Sequence, residues 1–178
     1  MSDSHMKLKF GDIEMKTKHS LAGLLAFLIF AASNVSFAGL DTETNENGVI
    51  LGGYDAVSYF TENAAVEGSA EFTAVHNNAI YYFSSSDNRD LFNANPEKYA
   101  PQYGGFCAYG AAIGAKFPVD PTVFAIVDNK LYVNNSANVS KLWNAKQAKA
   151  IELADQKWPT IKSVAAEELE TDDDLEDE

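Results

Sequence analysis

The sequence predicts a small single domain of the α+β class, with two β-hairpins and several short helices. Two observations lead to this fold class. First, two pairs of strand-like segments are each joined by a two-residue turn, Asn77-Asn78 in one pair and Asp128-Asn129 in the other. Asparagine and aspartate tolerate the positive φ angles that tight hairpin turns need. Second, short segments with helical spacing of apolar residues lie before, between and after the hairpins, and no internal repeat is apparent.

Each predicted element follows from a local pattern. Ser85 or Ser86 is expected to cap the helix after the first hairpin, because a serine oxygen accepts the free N–H groups of a first turn. Pro96 should end that helix or begin another turn, and Pro159 should end the last helix. The predicted elements are helix 54–60, strands 71–75 and 79–84, a helix containing Leu91 and Phe92, a short helix or buried loop at 107–113, strands 122–127 and 130–133, and helices 139–143 and 148–158.

The N-terminal region has the form of a secretory signal peptide behind an extension of residues 1–14. Two lysines precede an apolar run at 21–32, and Ser36 and Ala38 are the small residues of a cleavage site. We therefore assign residues 1–38 to the extension and signal peptide, and we expect cleavage after Ala38. The mature protein is predicted to be periplasmic or secreted. The apolar run is short for a membrane span, so no stable span is expected after cleavage, with an uncleaved anchor as the alternative.

Composition divides the remaining chain into a linker at 39–47, a domain at 48–163 and an acidic, disordered tail at 164–178. The formal net charge is -13, and nine acidic residues lie within residues 167–178. Such a segment cannot bury enough apolar surface to fold. The domain itself is only mildly acidic. A nucleic-acid partner is not expected, because such binding depends on a basic surface.

Several motifs of the domain carry a family resemblance. The segment 81–110 contains an aromatic pair, a serine-rich helix start and the sequence Asn-Pro-Glu-Lys-Tyr, and it is preceded by Gly-Tyr-Asp-Ala-Val-Ser-Tyr-Phe at 53–60. These motifs resemble the YHS domain family, in particular its secreted or periplasmic single-domain branch. The resemblance covers roughly residues 48–163 and implies a small α+β fold.

The resemblance also implies heavy-metal binding, but the chain departs from that pattern. Metal-binding YHS modules carry two cysteines, and the matching positions here are Ser84 and Asn88. A hydroxyl and a carboxamide are poor replacements for thiolates, which bind soft metals. The two-cysteine site is therefore absent.

Cys107 and His76 are the remaining candidates for a metal site, because they are the only Cys and His after Ala38. Cu(I) prefers thiolate and accepts low coordination numbers. We therefore predict an exported protein that binds a transition metal, with copper as the candidate cofactor, or a small ligand, through Cys107 with His76 as a helper. A homodimer would supply two Cys and two His.

Other interpretations stay open at this point. Cys107 could be a buried structural residue in a non-metal interaction module, since free Cys is among the most buried residue types. A thiol-dependent redox protein is the third possibility, and His76 alone could be a solvated polar residue. No catalytic motif identifies an enzyme, and that question also stays open.

Overall fold

The computed structural model describes residues 41–170, which lie within one compact unit. The predicted signal peptide lies outside the described residues. The described part is a small α+β domain with two two-stranded antiparallel sheets and six α-helices, so the predicted fold class is confirmed. Its helices are α1 Ser58–Thr61, α2 Ser86–Ala94, α3 Pro96–Tyr99, α4 Ala108–Ala112, α5 Ala137–Ala145 and α6 Gln147–Ile161, and its strands are β1 Ser69–His76, β2 Ala79–Phe83, β3 Asp120–Val127 and β4 Lys130–Asn134.

The two hairpins form where the turn residues predicted them. Strand β1 pairs with β2, and β3 pairs with β4. All four turn residues, Asn77, Asn78, Asp128 and Asn129, have positive φ angles, which matches the requirement of a tight two-residue turn. Each hairpin also contains a bulge near the start of its first strand.

The structure corrects one expectation, because the described part of the domain contains an internal structural repeat. Strands β3 and β4 and helix α5 each begin 51 residues after β1, β2 and α2 and have the same lengths. Helix α6 likewise begins 51 residues after α3. We call residues 49–99 the first half and residues 101–161 the second half.

Details outside the regular elements repeat as well. Ser85 and Ser136 both cap a helix, each accepting a hydrogen bond from the backbone N–H three residues later. A parallel bridge joins Val49 to Ile80 in the first half, and an equivalent bridge joins Pro101 to Leu131 in the second. Local conformational preferences of the residues would not by themselves produce a long-range bridge, so the two halves share the same tertiary arrangement of elements.

The core consists of two clusters, each lying mainly in one half. The first contains Phe83 and Phe92, and the second contains Cys107 and Trp143. Strand β4 serves both clusters, since neighbouring side chains of a strand point to opposite faces. Leu131 and Val133 belong to the first cluster and Tyr132 to the second.

Helix α6 differs from the prediction at its C-terminal end. Pro159 was expected to terminate the helix, but the helix continues to Ile161. A proline lacks one N–H group and so removes one helical hydrogen bond. The following turn is still closed by the bond from the Lys162 N–H to the Trp158 carbonyl oxygen, 2.9 Å long.

The segments flanking the domain contact it where they are described. Thr42, in the predicted linker, is buried, and the Glu43 N–H donates to the Gly104 carbonyl oxygen at 2.8 Å. On the C-terminal side, the buried Lys116 Nζ donates to the carbonyl oxygens of Lys162 and Val164. Residues 171–178 of the predicted tail lie outside the described residues. Within residues 41–170, no helix has the length and apolar character needed to cross a membrane.

Candidate functional site

Cys107 is the residue before helix α4, and its side chain is 1% exposed. The side chain makes no cap hydrogen bond to the first turn of that helix. Its thiol donates to Oδ1 of the buried Asn134 at 3.6 Å, and the same oxygen accepts from the Tyr109 N–H at 3.2 Å. Burial raises the pKa of the Cys107 thiol, while the nearby backbone N–H groups of Gly110, Asn135 and Tyr109 act on the pKa in the opposite direction.

These surroundings do not fit a copper site. The hydrogen-bond partner of the thiol is an amide oxygen, whereas Cu(I) needs further soft ligands. Among residues 41–170, no group of three or more His, Cys, Asp and Glu side chains is arranged to hold a metal ion.

His76, the second predicted site residue, packs in the other half of the domain. Its ring lies 5.9 Å from the ring of Phe92 and 6.4 Å from that of Tyr81, measured between centroids. Its Nε2 atom is 3.2 Å from Glu97 Oε1 and 3.0 Å from Asn77 Nδ2. Phe92 and Tyr81 belong to the first core cluster and Cys107 to the second. The described contacts of the two residues therefore have no residue in common.

Ser84 and Asn88, which match the cysteine positions of the YHS pattern that the sequence resembles, bind a buried carboxylate. Asp55 is fully buried, and its Oδ2 atom accepts from the Ser84 N–H at 2.8 Å, the Ser84 hydroxyl at 2.7 Å and Asn88 Nδ2 at 2.7 Å. Its Oδ1 atom accepts from the Val57 N–H at 2.8 Å. Both oxygens of the carboxylate thus accept hydrogen bonds. These bonds connect the segment before α1 to the end of β2 and to the start of α2.

A cleft of about 450 Å³ opens between the two halves of the domain. Residues from the first half, the second half and the N-terminal segment line it. They include Asp41, Thr42, Asn77, Tyr81, Glu97, Tyr103, Asp155, Trp158 and Lys162. Binding sites often lie at such boundaries between structural units.

The charged groups of the cleft are mostly carboxylates. Its acidic lining residues are Asp41, Glu97 and Asp155, and its basic lining residue is Lys162. Glu97 also lies 3.2 Å from His76 Nε2, and Asp41 interacts electrostatically with Lys116. Tyr103 donates its hydroxyl to Asp155 Oδ1 at 2.9 Å, and burial together with this bond raises the tyrosine's pKa. The hydroxyl therefore stays protonated at neutral pH and acts as a donor.

Two residues that line the cleft each have a buried oxygen atom without a hydrogen-bond partner. One is Oγ1 of Thr42, whose side chain is 5% exposed, and the other is Oδ1 of the half-buried Asp41. Buried polar atoms without partners are uncommon in folded proteins, because each costs free energy.

Comparisons of the chain with protein-family models, with curated proteins and with solved structures find no match. Membership of the YHS family therefore stays a prediction that depends on the sequence motifs. Sequence reasoning identified Cys107 and His76 but missed the cleft, because Glu97, Asp155 and Trp158 lie far apart in the chain. The only sequence signal for these residues was their type, which is common on any protein surface.

Proposed function

We propose that this protein is an exported, YHS-like, non-catalytic binding module that holds a small organic cation in the cleft between its two halves. In this proposal Cys107 is not a ligand. The observation that carries it is the cleft itself, which is lined by three carboxylates, one lysine and the aromatic side chains of Tyr81, Tyr103 and Trp158.

The charge and the walls of the cleft favour a cation with a hydrocarbon body. Carboxylates attract an ammonium group, and each of its hydrogens needs an acceptor oxygen. Tyr81, Tyr103 and Trp158 supply aromatic surface, which packs against methylene groups and attracts cations. The protein already contains such a contact, since Lys116 Nζ lies 5.9 Å from the centre of the Trp158 ring.

The arrangement of the carboxylates favours an organic cation over a metal ion. Among the described residues no three acidic, histidine or cysteine side chains converge on one point. A metal ion requires such convergence. An amine requires only one carboxylate for each ammonium group, and a diamine can reach two that lie apart.

Calorimetric titration with three probes of similar length tests the proposal. Putrescine carries two ammonium groups, butylamine one and butanediol none. We expect putrescine to bind most tightly and butanediol not to bind, and we expect added salt to weaken putrescine binding. Equal binding of butanediol and putrescine would show that charge does not matter and would refute the proposal.

Matched variants place the binding in the cleft. Glu97→Gln and Asp155→Asn should each weaken putrescine binding by about two- to fivefold, the usual range for a partly exposed ion pair. Glu71→Gln is the control, because Glu71 is an exposed acid outside the cleft. An equal loss of affinity in all three variants would show that the overall negative charge of the protein attracts putrescine, and would contradict binding in the cleft.

The copper hypothesis is tested on the same protein. Under anaerobic conditions Cu(I) is titrated into the wild type, Cys107→Val and His76→Ala in competition with a Cu(I) chelator. We expect all three to bind equally weakly. Tight binding that is lost in Cys107→Val would replace the cleft proposal with a copper function.

A further inference from the structure

Among the described residues, Lys162 is the only basic residue that lines the cleft between the two halves. It directly follows helix α6 and keeps helical φ and ψ angles of -54° and -35°. A lysine at the C-terminal end of a helix commonly interacts with the negative end of the helix dipole, so its position alone does not indicate a ligand. Its place among the other cleft residues of the same helix indicates more.

One face of α6 forms a wall of the cleft. Asp155, Trp158, Pro159 and Lys162 all line the cleft, and they lie at positions i, i+3, i+4 and i+7. Residues with this spacing share one face of an α-helix, and seven residues extend about 10 Å along its axis. The wall therefore carries, in order, a carboxylate, an aromatic ring and an ammonium group.

The backbone of Lys162 is held from both sides. Its N–H donates to the Trp158 carbonyl oxygen at 2.9 Å, and its carbonyl oxygen accepts from Lys116 Nζ at 2.9 Å. Lys162 is nevertheless exposed. The side chain can thus move, but it starts from a fixed point of the cleft wall.

The lysine of the cleft is not neutralised by the acidic residues of the cleft. The ion pairs within residues 41–170 are His76 with Glu97 and Arg89 with Asp90. Lys162 is therefore not paired with any of the three lining carboxylates. A cleft that binds only a cation would gain no affinity from a lysine, because like charges repel each other. Three acids and one base instead match a ligand with two ammonium groups and one carboxylate.

We propose that the ligand of the cleft is a basic amino acid whose carboxylate pairs with Lys162. This inference rests on the proposed function, because it names the class of organic cation that the cleft binds. With the side-chain ammonium group at Asp155, the methylene groups of the ligand lie over Trp158, between the two charged residues of the wall. The α-ammonium group then pairs with Glu97 on α3 or with Asp41 in the N-terminal segment.

Ornithine and putrescine are a matched pair of probes, because ornithine is putrescine with a carboxylate on one terminal carbon. Calorimetric titration should show that ornithine binds about two- to fivefold more tightly, which is the usual range for a partly exposed ion pair. If putrescine binds and ornithine binds equally or more weakly, this inference is wrong and the proposed function stands. If neither amine binds more tightly than butanediol, both are wrong.

The variant Lys162→Gln should change the affinities for the two probes in opposite directions. It removes the partner of the ornithine carboxylate, so ornithine should bind about two- to fivefold more weakly than to the wild type. It also removes a positive charge from the cleft, so putrescine should bind up to about twofold more tightly. Lys162→Arg keeps the charge and should keep the preference for ornithine.

Lys149→Gln is the matched control, because Lys149 is an exposed lysine of α6 that does not line the cleft. This variant should leave the ratio of the ornithine and putrescine affinities unchanged. Two outcomes would overturn the proposal. One is a change of both affinities in the same direction in Lys162→Gln, and the other is an equal loss of the ornithine preference in Lys149→Gln.

Discussion

Replacement of Asp55 gives the sharpest test of how the fold is held together. Its carboxylate is fully buried and accepts four hydrogen bonds of 2.7 to 2.8 Å, from Val57 N–H, Ser84 N–H, the Ser84 hydroxyl and Asn88 Nδ2. Hydrogen bonds to a charged group contribute about 1.5–3 kcal/mol each when measured singly, and bonds that share an acceptor are not additive. Loss of the carboxylate also leaves buried donors unpaired.

Three substitutions should form a graded series. Asp55→Ala removes all four bonds and should cost about 3–5 kcal/mol. Asp55→Asn keeps the volume, but its NH₂ group must face either the Val57 N–H or the donors of Ser84 and Asn88. It should cost about 2–3 kcal/mol. Ser84→Ala removes only the hydroxyl bond and should cost about 1–2 kcal/mol.

Urea unfolding followed by tryptophan fluorescence measures these free energies, because Trp143 is fully buried in the fold. The double variant Asp55→Asn with Ser84→Ala should cost less than the sum of the two single variants, since both remove the same bond. A cost below about 0.5 kcal/mol for Asp55→Asn, within the range of ordinary surface substitutions, would refute the reasoning.

Three further predictions concern the core, the C-terminal segment and the thiol. Phe92→Ala should cost about 3–5 kcal/mol in urea unfolding, because the ring is 1% exposed and packs against Phe83; a cost below about 1 kcal/mol would contradict this packing. Deletion of residues 171–178 should leave the calorimetric melting temperature unchanged. Deletion of residues 162–178 should lower it, because the buried Lys116 then loses two carbonyl acceptors. Equal melting temperatures of the two truncated chains would contradict this role of Lys116. The raised pKa of Cys107 means that the unfolded chain ionises first. Its contribution to stability is therefore present below the ordinary thiol pKa of about 8.5 and is lost as pH rises above it. Urea unfolding at neutral and alkaline pH should show this loss in the wild type and not in Cys107→Val; parallel pH profiles would disprove it.

Short-range signals in the sequence were sufficient for the fold class and for most element positions. The turns at Asn77-Asn78 and Asp128-Asn129 have the positive φ angles that their residue types favour, and Ser85 caps α2 as predicted. These features depend on residues within a few positions of one another, so the chain encodes them locally. The prediction that Pro159 ends α6 was wrong, because a proline in the last turn of a helix removes only one hydrogen bond and so costs little free energy.

The structural repeat was present in the sequence only as an equal spacing between corresponding elements. Over the fifteen positions of 78–92 and 129–143, the aligned identities are Asn78 with Asn129, Tyr81 with Tyr132, Ser85 with Ser136, and Leu91 with Leu142. The side chains that fill the two cores differ, Phe92 in one and Trp143 in the other. The relation between the halves became visible only from their matching backbone structures.

The environment of each candidate residue was decided by tertiary structure. Ser84 and Asn88 could be matched to the two cysteine positions of the YHS pattern that the sequence resembles. Their partner Asp55 lies about thirty residues earlier in the chain and contacts them only through packing. Cys107 was named from its residue type, while the hydrogen-bond partner of its thiol, the buried Asn134, is brought to it by the second hairpin. Local sequence fixes backbone conformation through sterics and short hydrogen bonds. Burial and long-range partners depend instead on how the elements pack, and that information is spread over the whole chain.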